Sequence, residues 1–135
     1  MTPFASRLPE SLRYHAGHFG VIASVAAWDE SRAWLDALLA RLDANRRLLA
    51  ELLERMLPDV RYVEPEAGYL AWLDCRELDL GDDPSAVFLE RGRVALSPGP
   101  TFGAEGKGFA RLNFGTSSAL VEEAVRRLAA AVESA

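Results

Sequence analysis

The sequence predicts an α/β domain in the α+β sense: a small, mainly antiparallel sheet, helices packed on one face, and one long N-terminal helix. Three observations predict it. Leu35, Leu38, Leu42, Leu49, Leu52 and Met56 recur at three–four spacing, the period of one helix face. Short runs at Val60–Val63, Tyr69–Asp74, Arg93–Ser97 and Phe109–Phe114 are bounded by Pro, Gly and Asp, as strands are. A last stripe of Val121, Val125, Leu128 and Val132 marks a closing helix.

Met1 to Gly20 is irregular, since Pro3 and Pro9 disfavour a continuous helix. Pro9 to Arg13 could form one turn. His15 and His18 lie three apart and could share a helix face as a metal pair, but no third ligand is obvious. The alternative is a pair of solvated or capping histidines. Phe19 to Trp28 is nearly all small or apolar and reads as a short helix buried on most sides. If nothing covers it, its apolar surface predicts association.

Asp29 is a plausible N-cap for a helix from Glu30 to Met56. At 1.5 Å per residue it would be on the order of 40 Å long, a spine rather than an ordinary small-domain helix. Asn45 falls on its leucine stripe, where a polar side chain needs bonding at an interface. Asp43 with Arg47 and Glu51 with Arg55 are favourable four-apart pairs. Pro58 ends the helix.

Strand Tyr69–Asp74 is apolar or aromatic on both faces, so it should be central and covered on both sides. Trp72 then reads as core, or alternatively as an aromatic lining a substrate cleft. Cys75 has no acid–base partner nearby in sequence and reads as structural. Asp79 to Asp83 resembles a calcium loop only loosely, lacking the spaced carboxylates and closing Glu. Pro84 suits the first turn of a helix, and Gly92 its stop.

Gly99, Gly103, Gly106 and Gly108 invite a phosphate-loop reading. Their spacing fits neither the P-loop nor the dinucleotide fingerprint, and no Ser or Thr follows Lys107. The glycines are expected to let the backbone bend close to a ligand or partner. In the strand that follows, Phe109, Arg111 and Asn113 share one face, and Ala110, Leu112 and Phe114 the other. The apolar face belongs against helices. On the other, a guanidinium is costly unless it meets an anion or water. Its fork suits a carboxylate; a local Asp or Glu, or snorkelling at an edge, would also satisfy it. Thr116, Ser117 and Ser118 can cap the last helix, where Glu122–Arg126 and Glu123–Arg127 are four-apart pairs.

The 135 residues suit one domain, and half are hydrophobic. A net charge of −5 argues against nucleic-acid and membrane-surface binding. No apolar run is long enough to cross a bilayer. No basic-then-apolar leader opens the chain, and a cytoplasmic location is expected. A single cysteine permits no internal disulfide and no cysteine metal cluster.

The run VALSPGPTFGAEGKGFARLNFG from Val94 to Gly115 resembles the closing stretch of class I/II aminotransferases, the fold-type-I enzymes that use pyridoxal phosphate. Within them it is most similar to the cystathionine β-lyase-like C–S lyase branch. Ala33–Asp36, Asn45-Arg46 and Glu66–Asp74 share the resemblance, which covers nearly the whole chain. It implies the small domain of such an enzyme over 29–135. Residues 1–28 would form a connecting segment and short apolar helix at the large-domain and dimer junction. It further implies amino-acid substrates and a homodimer. The arginine matching Arg111 grips the substrate α-carboxylate, with weaker assignments for Asn113 beside it and for Phe102 and Gly103 at the entrance.

The chain has one lysine, Lys107, against fourteen arginines. Pyridoxal phosphate enzymes hold their cofactor on a lysine, which in the family lies upstream of everything resembled here. The sequence therefore looks like the C-terminal third of an enzyme. No catalytic residue and no bound cofactor are expected in this chain alone. The large domain would carry the lysine and bind the cofactor. The alternative is a freestanding, non-catalytic interaction or carboxylate-binding module.

Overall fold

The computed structural model describes residues 17–133. The chain divides into two compact units, one ending at Leu38 and one beginning at Leu39. His15 lies outside the described residues, so the expected His15–His18 pair does too. So does the turn expected at Pro9–Arg13.

In the first unit, α1 spans His18–Glu30 and buries no residue. Phe19 and Trp28 are each 87% exposed, against the expectation of a helix buried on most sides. Its apolar residues run all round the helix, so no single face is marked for burial. Asp29 is inside α1 and caps nothing. The break falls at Ser31, and α2 runs Arg32–Met56. No Gly or Pro marks that break.

The second unit holds the core. A four-stranded antiparallel sheet has the order β1-β2-β4-β3, with β1 at Arg61–Tyr62, β2 at Leu70–Asp74, β3 at Ser97–Pro98 and β4 at Phe109–Asn113. All three pairings are antiparallel, as expected of the sheet. Ala71 and Leu73 of β2 and Ala110 and Leu112 of β4 are buried on one face. The helical residues buried with them are Leu49, Leu52 and Leu53 of α2, Phe88, and Val121, Val125 and Leu128. Burying each such side chain stabilises the fold by about 1.5–3 kcal/mol.

The opposite face of β2 is open. Leu70 is 40% and Trp72 38% exposed, so β2 is central but covered on one side only. Trp72 is therefore not core. An apolar residue on each face of a strand cannot say which face lacks a covering layer.

Helix α3, Pro84–Gly92, starts as the sequence predicts, with Pro84 in its first turn and Asp83 Oδ1 accepting from the Ser85 amide at 3.1 Å. Its end differs. Arg93 takes the left-handed conformation at φ 56°, while Gly92 is the last helical residue. Gly92 is needed for packing: a Cβ there would lie 2.9 Å from the Arg127 carbonyl oxygen. Arg127 belongs to α4, Ser118–Glu133, whose start is capped by Ser117 Oγ accepting from Leu120 N at 3.3 Å. Glu123 binds both Arg126 at 2.7 Å and Arg127 at 2.6 Å, so Arg126 pairs with Glu123 rather than Glu122. On α2, Asp43 pairs with Arg47 at 2.8 Å as expected, and also with Arg46.

Asn45 is fully buried and ties α2 to the segment after β4. Its Nδ2 donates to the Phe114 carbonyl at 3.0 Å and the Thr116 carbonyl at 2.7 Å. Its Oδ1 accepts from Ser118 Oγ at 2.8 Å. The connection between β4 and α4 is thereby bonded to the middle of α2.

Candidate functional site

The open face of the sheet carries the polar and aromatic groups. β4 lies between β2 and β3, and register places Arg111 opposite Trp72 on one side and Ser97 on the other. Arg111 Nη2 donates to Ser97 Oγ at 3.2 Å. Its Cζ lies 4.6 Å from the centre of the Phe102 ring, within cation–π range. Among the described residues Arg111 joins no ion pair. The local Asp or Glu that could have satisfied it is absent there. The guanidinium has five N–H donors, so Ser97 leaves several able to meet an anion.

Phe102 reaches Arg111 from a loop. A tight turn of helix at Gly99–Phe102 follows β3, and Thr101 Oγ1 donates to the Pro98 carbonyl at 2.7 Å. The loop closes where Gly99 and Gly106 meet. A Cβ on Gly99 would lie 2.1 Å from the Gly106 carbonyl oxygen, and one on Gly106 2.0 Å from that of Gly99. These two glycines bring backbone to backbone within the loop rather than to a ligand. Gly103, at φ 124°, turns the chain after Phe102 through a conformation that favours glycine, and open space surrounds its Cα.

Trp72 completes the cluster. Its ring meets Phe102 edge-on, 5.5 Å between centres at 82°, and stacks on Phe109 at 5.5 Å and 17°. Arg76 Cζ sits 4.9 Å from the Phe109 ring centre. Two hydrogen bonds fix Arg76 to Asp74, Nε to Oδ1 at 2.8 Å and Nη2 to Oδ2 at 2.7 Å. These bonds hold the Asp74 carboxyl below its ordinary range.

The structure thus brings Arg111 and Phe102 together, with Gly103 next to Phe102. Asn113 shares the Arg111 face by alternation, but its Oδ1 accepts from the Gly115 amide at 2.8 Å and closes a turn. Ser97 was not singled out from sequence. It stood only as the last residue of an expected strand, and β3 is a two-residue strand with no alternation to read.

Lys107 does not fit a cofactor-holding role. Its Nζ is paired with Asp82 at 2.7 Å, and that hydrogen bond raises its pKa, away from the neutral amine. A Schiff base requires the neutral amine. Cys75 is 1% exposed and burial pushes its thiol up to about 12, which agrees with a structural role. No group of three or more metal-ligating side chains occurs among the described residues. No helix there is long and apolar enough to cross a membrane.

Residues 14–128 match the family described as Aminotransferase class I and II. A Mycobacterium tuberculosis relative named "Putative cystathionine beta-lyase" is 44% identical over 140 residues, covering 91% of this chain and 34% of that protein. Cystathionine beta-lyase PatB of Bacillus subtilis is 37% identical over 115 residues, covering 84% of this chain and 30% of its own length. The crystal structure of a PLP-bound C–S lyase from Staphylococcus hominis superposes with a TM-score of 0.81 at 28% identity, over 92% of this chain and 36% of that one. The chain spans about a third of the length of the curated relatives it matches.

Proposed function

Because the chain belongs to the class I and II aminotransferase family, we propose that it works as the small domain of a pyridoxal phosphate-dependent enzyme of amino acids, with Arg111 binding the substrate α-carboxylate. Residues 29–135 form that domain, and 1–28 connect it to a large domain that holds the cofactor and its lysine. The complete enzyme is a homodimer. The relatives named for cystathionine β-lyase and C–S lyase activity favour β-elimination from a sulfur amino acid over transamination.

One observation carries the reading. Arg111 is fixed by Ser97 and Phe102, yet no carboxylate of the described chain neutralises it. A carboxylate arriving from outside would meet an oriented fork and gain charge-assisted hydrogen bonds. Holding one end of the substrate in this way orients the bond to be broken. The ion-paired Lys107 leaves the cofactor to groups other than this chain's.

In the complete enzyme, Arg111→Ala should cost the substrate about 2–3 kcal/mol of binding, from loss of a charge-assisted bidentate contact. That is a rise in KM of roughly 30- to 150-fold. The visible absorbance of the bound cofactor should be unchanged. An unaltered KM would remove Arg111 from the site. The same Arg111 fork, held by Ser97 and Phe102, also suits a second reading, a non-catalytic carboxylate-binding module. Carboxylate binding lost in Arg111→Ala, with no turnover in any assembly, would support that module.

A further inference from the structure

We propose that Trp72 is the positioning residue for Arg111, acting through the ring of Phe102. The inference rests on the reading of Arg111 as a carboxylate clamp and adds what holds the clamp in its working orientation.

A guanidinium on a long, jointed side chain binds a carboxylate well only when its plane is set beforehand. Two contacts set it here, the Ser97 hydroxyl and the Phe102 ring. The hydroxyl sits on β3 and is fixed by the sheet. The ring is not so fixed. Phe102 is 52% exposed and stands at the end of a turn. The Gly99–Gly106 crossing anchors the base of that loop.

Trp72 supplies the missing support. It is the β2 residue opposite Arg111, and its ring edge meets Phe102 at 82°. Its other contact is the stack on Phe109, whose ring also lies beneath Arg76. Arg76 is tied to Asp74 on the same strand as Trp72. The row Arg76, Phe109, Trp72, Phe102 and Arg111 is therefore anchored at one end by an ion pair and presents the clamp at the other. Trp72 lies outside the buried core cluster, on the open face of the sheet.

The test uses the full chain, with nitrogen–proton NMR of the Arg111 Nε–Hε group, assigned by its disappearance in Arg111→Lys. The Phe102 ring current should displace that signal from the exposed arginines. In Trp72→Ala the displacement should collapse toward the exposed value, and in Trp72→Phe most of it should return. Titration with sodium acetate should shift the signal in the native chain. Trp72→Ala should weaken that response about two- to fivefold, the scale of one lost cation–π contact. Backbone amide signals of Ala110 and Leu112 report whether the sheet is intact. If Trp72→Ala disturbs them, Trp72→Leu keeps an apolar side chain on the sheet without the ring edge that meets Phe102, and should give the same collapse. An Nε–Hε signal that keeps its displacement in Trp72→Ala or in Trp72→Leu with the sheet intact overturns the proposal. Failure of the clamp reading looks different: the native signal would then ignore acetate while still depending on Trp72.

Discussion

Replacing Asn45 with Ala removes three hydrogen bonds from a fully buried position: the donors to the Phe114 and Thr116 carbonyls and the acceptor for Ser118 Oγ. Each is worth about 1 kcal/mol net, and a buried carbonyl left without a donor adds about 1–3 kcal/mol. The expected loss is therefore about 4–6 kcal/mol, a large part of the stability of an ordinary domain. Urea unfolding of the full chain, followed by circular dichroism, measures it. With a slope of about 2 kcal/mol per molar, the midpoint should fall by roughly 2–3 M. Ser118→Ala removes one of the three bonds and should lower it by about 0.5 M. The double variant should lose less than the sum of the two, because both single changes delete the same Asn45–Ser118 bond. An Asn45→Ala midpoint within 0.5 M of the native value at an unchanged slope would refute the reasoning.

Gly99→Ala should destabilise the chain by about 3 kcal/mol, since its Cβ would lie 2.1 Å from one backbone oxygen and 2.4 Å from another; thermal unfolding would show otherwise if the midpoint held. The Cys75 thiol, raised to about 12 by burial, should resist alkylation in the native chain at pH 8 and react once urea unfolds it. Rapid native labelling would contradict the buried placement. The carboxyls of Asp43, Asp74 and Glu123 are lowered chiefly by side-chain hydrogen bonds from Arg46, Arg76 and Arg126. Depressed carboxylates contribute stability above their unfolded pKa values and lose it as pH falls through the folded ones. The urea midpoint should therefore drop as pH falls below about 4, and Glu123→Gln should flatten the drop. A midpoint that rises on acidification would reverse the sign.

Much of this arrangement is written in local pattern. The leucine stripe of α2 and the valine stripe of α4 place both helices, because a 3.6-residue period survives any tertiary context. Arg111 stands out as the charge in an otherwise apolar, glycine-bounded strand. The misplaced features depend on what lies across the sheet. Trp72 and Leu73 look equally fit for burial, and only the absence of a second layer leaves Trp72 open. Gly92 looks like a helix stop, yet its small size serves the approach of α4, a contact with Arg127 far along the chain. Ser97 enters the site through the register of a two-residue strand, which no periodicity can report.

The Gly99–Gly106 crossing works as a drawstring around the loop that bears Phe102. The knot is itself seated on the sheet, since a Cβ on Gly99 would also lie 2.4 Å from the Phe109 carbonyl oxygen. The loop can vary at Thr101 and Ala104, which flank Phe102 and Gly103, while the Phe102 ring stays on Arg111. A library confined to those two positions would vary what stands beside the clamp without removing the Phe102 ring that sets it.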